Sequence, residues 1–302
     1  MLKRYLSGLG RYAMLISLSL LLTAPGLALA HGGHAHHKAG PAKKAILLVT
    51  FGTSLPEGRK SFDLVEAAYR KAFPDYQISW AYTAKFIRDK LAKKGESLPS
   101  PEEALARLMA QGQVHVLAQS LHVIPGSEWH DLVKVVTGFK AMGAGFYPLL
   151  GTPLLTTGGD VATVAQALLA RLPAKRKKNE AVVYMGHGSH HGGGMAYQAL
   201  AYELGRRDPL AFMGTVEGMP SLEDVISRLK ARKVSKVYLV PFMTVVGDHV
   251  KNDMVGPEPD SWLSRLKKEG FKCQPVLEAV TQNPQILKVW LDHTRQLLKA
   301  KH

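Results

Sequence analysis

Apolar residues in this chain fall into two alternating patterns: short continuous runs of strand composition, and longer stretches in which they recur every three to four positions. The runs predict strands over 45–51, 77–82, 114–118 and 145–147 in the first half, and over 181–185, 211–216, 236–240 and 272–277 in the second. Between them the helical period predicts helices over 59–72, 101–111, 161–172, 222–231 and 284–300. Such alternation leads to an α/β fold with parallel sheets covered by helices.

The two halves also echo each other. Ile46-Leu-Leu-Val-Thr-Phe-Gly52-Thr-Ser54 resembles Val182-Val-Tyr-Met-Gly-His-Gly188-Ser189, with Gly52 falling on Gly188. With one deletion, the stretch from Val116 to Glu128 runs beside that from Tyr238 to His249 and sets Glu128 opposite His249. The expected architecture is two similar Rossmann-like lobes, over 43–174 and 179–302, with parallel sheets facing a central cleft and the metal site in the second lobe. The break falls near the basic run 175–178, which reads as a solvated linker, and the final helix is free to cross back.

In open parallel sheets, ligands bind at the carboxyl ends of the strands. The run 181–185 stops at Gly186-His187-Gly188, the next strand ends at Thr215-Val216-Glu217-Gly218, and the third leads into Gly247-Asp248-His249. Three successive strand ends therefore deliver His187, Glu217 and His249. Two imidazoles and a carboxylate with positions left open suit Co(II), Ni(II), Fe(II) or Zn(II). Each residue also has a plain structural reading: His187 as a turn histidine, Glu217 and His249 as helix caps.

The first 30 residues add an address. Lys3, Arg4 and Arg11 precede or flank the apolar stretch 14–22, and Ala28-Leu29-Ala30 forms a small-residue cleavage site, so an export signal cut after Ala30 and a periplasmic location are expected. The apolar run is too short to span a bilayer, which takes about 20 residues. A histidine-rich segment, residues 31–42, would follow, with His31, His34, His36 and His37 suited to loose binding of divalent metals.

Composition narrows the chemistry further. One cysteine, Cys273, excludes an internal disulfide and any multi-cysteine metal or iron-sulfur site. The 302-residue chain carries a formal charge of +15, which favours an acidic partner; with no nucleic-acid motif present, an anionic small molecule fits better than nucleic acid. His191-Gly-Gly-Gly194 matches an esterase oxyanion motif, but no serine has glycine at both positions a nucleophile elbow requires. A metal or haem carrier without catalysis is the other class, with His122 or His130 as the axial haem ligand. The sequence leaves the oligomeric state open and is compatible with a homo-oligomer.

Taken together, Leu48-Val-Thr-Phe-Gly-Thr-Ser54, Gln119-Ser-Leu-His-Val-Ile-Pro-Gly-Ser-Glu128, Gly186-His-Gly-Ser-His-His191, Val216-Glu-Gly-Met-Pro220 and Gly247-Asp-His249 resemble the anaerobic sirohydrochlorin cobaltochelatases, class II chelatases related to ferrochelatase. The resemblance implies a chelatase-like fold and insertion of Co(II) into sirohydrochlorin, an anionic tetrapyrrole, without ATP. It also implies His187 and His249 as metal ligands with Glu217 beside them, and Glu128 as the other cleft carboxylate. Metallation must remove two pyrrole protons, which suggests His187 as base and Glu128 as proton acceptor. Fe(II) or Ni(II) could replace Co(II) on ligand chemistry alone. The export signal departs from the family, whose tetrapyrrole synthesis belongs to the cytoplasm.

Overall fold

The computed structural model describes residues 43–143 and 145–299. The expected signal and histidine-rich segment lie outside the described residues. Among those described, no helix is long and apolar enough to cross a membrane.

Two four-stranded parallel sheets form the frame. The first has the order β2-β1-β3-β4, with β1 Lys43–Thr50, β2 Gln77–Tyr82, β3 Gln113–Ser120 and β4 Tyr147–Gly151. The second has the order β6-β5-β7-β8, with β5 Glu180–Gly188, β6 Ala211–Glu217, β7 Lys236–Pro241 and β8 Lys272–Pro275. The identical permutation is what the sequence repeat requires. In each sheet the chain leaves the first strand to one side and later crosses to the other, so a crevice opens at the carboxyl end of that strand. Gly52 and His187 stand at those two points.

Central strands β1 and β5 are buried on both faces, which explains their continuous apolar composition. Helices α1 (Pro56–Ala72), α2 (Lys85–Ala92), α3 (Pro101–Ala110), α4 (Ser127–Met142) and α5 (Gly158–Leu169) belong to the first half; α6 (Met195–Arg207), α7 (Leu222–Ala231), α8 (Trp262–Lys268) and α9 (Pro284–Lys299) to the second. One apolar cluster runs continuously from Ile46, Leu48 and Tyr69 of the first half to Val182, Tyr184 and Leu200 of the second, so the two sheets share a core. Separate clusters cover their other faces.

Helix α9 returns to the first sheet, packing on α5, β3 and β4. Its buried stripe Ile286, Leu287, Trp290, His293 and Thr294 recurs at helical spacing. Polar contacts fix its rotation: Thr294 donates to Gln119 Oε1 at 2.9 Å, and His293 Nε2 meets Asp160 Oδ1 at 2.9 Å while its Nδ1 faces the Thr152 carbonyl at 3.2 Å. Burial works against the Asp160 charge, but hydrogen bonds from His293 and Thr157 outweigh it and hold that carboxyl below its ordinary range.

Two expected elements shift. The strand expected over 145–147 forms instead at Tyr147–Gly151, because Gly143 and Gly145, with φ of 67° and 72°, belong to the turn that ends α4. Pro148 is tolerated there because β4 is an edge strand. The strand expected over 272–277 stops at Pro275.

A capping box starts α7, just after the loop that carries Glu217. Ser221 Oγ accepts from Asp224 N at 3.1 Å, and Asp224 Oδ2 accepts from Ser221 N at 2.9 Å. Ser221→Ala should lower the unfolding free energy by about 1 kcal/mol, read as a lower urea midpoint at unchanged slope.

Candidate functional site

The end of β5, which carries His187, is shaped by what lies beneath it. A Cβ at Gly186 would stand 2.5 Å from Tyr197 Cε1, and one at Gly188, where φ is 87°, would stand 1.7 Å from the Glu217 carbonyl oxygen. Glycine on both sides thus lets the Tyr197 ring and the β6 backbone close against the end of β5. Burial raises the Tyr197 hydroxyl pKa well above its usual range, against hydrogen bonds from the Gly188 and His187 backbone, so the ring stays neutral under the histidine.

His249 reaches the same point from the second lobe's third strand. It precedes a π-helical turn, Val250–Met254, and its ring stands perpendicular to that of His187 with centroids 4.5 Å apart. The two Nε2 atoms face each other at 3.1 Å. Their tautomers follow from their other partners. His187 Nδ1 faces the Gly188 carbonyl at 3.1 Å, and His249 Nδ1 faces Asp253 Oδ2 at 2.5 Å. A carbonyl and a carboxylate accept, so both Nδ1 atoms carry a hydrogen, which leaves the two Nε2 atoms to present lone pairs to a shared proton or metal ion. Two lone pairs at that distance repel unless a cation, a proton or a metal ion, lies between them. Two nitrogens about 2.05 Å from one metal, at angles of about 90–109°, are about 2.9–3.4 Å apart, so the pair already has the spacing of two adjacent ligands.

Glu217 borders the same cavity but stands apart from the pair. Register pairs it with Gly188, and strand neighbours in register share a face, so it does not share that of His187. Among the described residues no group of three or more His, Cys, Asp or Glu side chains is placed to hold a metal ion. The expected three-ligand set is therefore two imidazoles together and a carboxylate at a distance. Glu128, expected beyond a strand end, sits in the first turn of α4 and also lines the cavity, as does Asp248.

The cavity encloses about 580 Å³, within the usual range for small-molecule sites. Its walls are mainly apolar, with Phe51, Phe86, Leu121 and Ile124 from the first half and Phe242, Met243 and Val245 from the second. His122 lines it too, with Nδ1 on Ser120 Oγ at 2.9 Å and Nε2 on Thr83 Oγ1 at 3.3 Å. Burial pushes its imidazole down to about 4, so it is uncharged at neutral pH. His130, on α4, is exposed, and donates from Nδ1 to the Gly126 carbonyl at 2.8 Å.

Asp253, Tyr197 and Phe86 escape the sequence reading. Asp253 lies four residues after His249; in the sequence His249 reads as the cap of a helix near Lys251, which does not pair its ring with a carboxylate one turn on.

A sequence model of the family described as cobalt chelatase (CbiK) matches residues 44–299. The chain belongs to that family. The cobalt chelatase match extends over both sheets and every residue of the cavity. Sirohydrochlorin cobaltochelatase CbiKC of Nitratidesulfovibrio vulgaris is 38% identical over 258 residues, 85% of this chain and 92% of that protein. Sirohydrochlorin cobaltochelatase of Salmonella typhimurium is 36% identical over 259 residues, 85% and 97% of the two chains. The structure of SirB from Bacillus subtilis with Fe3+ is similar in fold at 15% identity, with a TM-score of 0.58 over 84% of this chain and 95% of that one. The two-lobed α/β chelatase fold expected from the sequence is thereby borne out.

Proposed function

We propose that this chain inserts Co(II) into sirohydrochlorin without ATP, with His187 and His249 holding the metal. The observation that carries the reading is the pair of Nε2 lone pairs converging at 3.1 Å inside an apolar cavity. Such a pair strips part of the water from a divalent ion and leaves its other positions for pyrrole nitrogens. The exchange balances: one Co(II) passes to the macrocycle as two pyrrole N–H protons leave it, so the site trades two positive charges for two. The vacated Nε2 atoms are bases placed where those protons depart, His187 first among them, and Glu128 carries protons onward. Ligand chemistry admits Fe(II) and Ni(II) as well. Family membership and the names of the two cobaltochelatase relatives support cobalt and sirohydrochlorin.

The direct test is to mix the protein with Co(II) and sirohydrochlorin and follow the visible spectrum. Turnover beyond one equivalent per chain is expected; stoichiometric binding without turnover would make it a carrier. His122 has both ring nitrogens on hydroxyls, which weighs against a haem carrier built on that residue. His130 is the other candidate haem ligand, and a haem titration of His130→Ala decides whether it serves.

The two carboxylates should separate by role. Glu217→Gln should weaken Co(II) binding without tetrapyrrole by a few-fold, because it removes a negative charge from the wall of the cavity that holds the cation. Glu128→Gln should slow insertion about 10²-fold with metal affinity kept. Equal losses of Co(II) affinity, read by titration, would contradict this division. We propose also that the chain is exported and cleaved after Ala30, on the pattern of charge, apolar core and Ala28-Leu29-Ala30; cell fractionation with terminal sequencing tests it.

A further inference from the structure

Phe86 is an anomaly of the cavity wall. It is 60% exposed, yet it lines the same cavity as the histidine pair. A single exposed phenylalanine on an open surface needs no explanation, but one at the mouth of an apolar cavity leaves a ring face without its natural contact. The ring is also held. Helix α2 is anchored from below by Ala84, Ile87 and Leu91, all buried, and Phe51 packs edge-on against Phe86 with centroids 5.8 Å apart. Just beyond β1, Gly52 holds φ at 105°, a conformation that favours glycine, and a Cβ there would stand 3.3 Å from Tyr82 Cδ1. The same short helix and the turn after it carry Lys85, Arg88, Lys90, Lys93 and Lys94 against one acid in the helix, Asp89.

From this geometry, and resting on the proposed insertion reaction, we propose that Phe86 is the platform on which the tetrapyrrole plane stacks, positioning the macrocycle over the histidine pair. A rigid aromatic ring at the mouth matches a flat conjugated ligand, and a helix dense in cations matches a ligand edged with carboxylates. The Phe51 edge keeps the Phe86 ring from folding into the cavity when no ligand is present.

The test uses the full chain with Phe86→Ala, Phe86→Leu and Phe86→Trp. Three quantities are read: affinity for metal-free sirohydrochlorin from its own absorbance and emission, steady-state KM and kcat with Co(II), and Co(II) affinity without tetrapyrrole. Phe86→Ala should raise the tetrapyrrole Kd and KM about five- to tenfold, with Co(II) affinity and the thermal midpoint unchanged. Phe86→Trp should restore binding, and Phe86→Leu should stay with alanine, since it keeps apolar bulk but loses the ring face. Wild-type KM in Phe86→Ala or in Phe86→Leu overturns the platform, as does an altered oligomeric state by sedimentation with KM unchanged, which would assign the ring to a contact between copies. The two readings fail separately. No turnover by the wild type, with weakened tetrapyrrole binding in Phe86→Ala, removes the enzyme and leaves the platform. Normal turnover in both does the reverse.

Discussion

His187→Ala and His249→Ala should each lower Co(II) insertion by roughly three orders of magnitude, because losing one of two nitrogen ligands costs several kcal/mol and each 1.36 kcal/mol is tenfold. Neither change should unfold the protein. His187 is half-buried at the end of β5 and His249 half-buried at the start of the π-helical turn, and both line the cavity outside the apolar clusters. The thermal midpoint without metal should therefore stay near that of wild type. In wild type, Co(II) should raise the midpoint by binding the folded state, and in either variant that increment should largely vanish. Initial rates and melting curves with and without Co(II) check both halves. A variant that keeps full activity, or one that melts far below wild type without metal, contradicts the site as drawn.

Asp253→Ala should weaken Co(II) binding by about 10- to 100-fold, the range seen when the carboxylate behind a ligating histidine is removed. Its carboxylate holds the hydrogen on His249 Nδ1 and so keeps the Nε2 lone pair turned toward His187. Asp253→Asn retains an oxygen that can accept, but adds a donor that can reverse the tautomer, so its loss should fall between wild type and alanine. Nitrogen NMR of the histidine rings reads the cause directly: the His249 Nδ1–H form should dominate in wild type and lose ground in both variants. Sirohydrochlorin affinity should not change, since Asp253 does not line the cavity. Co(II) affinity within twofold of wild type in Asp253→Ala would mean that the ring is held by packing alone.

The frame was legible because it rests on local pattern. Runs such as Ile46 to Thr50 and Ala181 to Met185 are apolar throughout because both faces of a central parallel strand are covered, and the echo between halves carries over into the same strand order in each sheet. Where the pattern is weak, it misleads. Val135-Val136-Thr137-Gly138-Phe139 has strand composition inside helix α4, and the Gly143-to-Pro148 stretch hides the start of β4. The helix was nonetheless required, because a parallel neighbour of β3 can be reached only by a crossover.

The site was legible as far as strand ends go. His187 and His249 meet because one lies at the carboxyl end of β5 and the other follows its neighbour β7, which topology dictates. Glu217 follows a strand end too, but its register with Gly188 turns it from His187, and register is a one-residue matter that no run of apolar residues specifies. Asp253 depends on a π-helical turn, and the two hydroxyls on His122 come from the end of β3 and from the connection after β2, so neither contact has a signature in sequence spacing.

The central claim is that one metal ion sits between His187 Nε2 and His249 Nε2. X-ray absorption at the cobalt edge, on a chain beginning at Pro41 and loaded with one equivalent of Co(II), tests it without the histidines of residues 31–37. The spectrum should show two imidazole nitrogens at about 2.0–2.1 Å, and the His187→Ala/His249→Ala double variant should lose both. An imidazole shell that persists unchanged in the double variant, or a shell of oxygen alone in the wild type, would place the metal elsewhere.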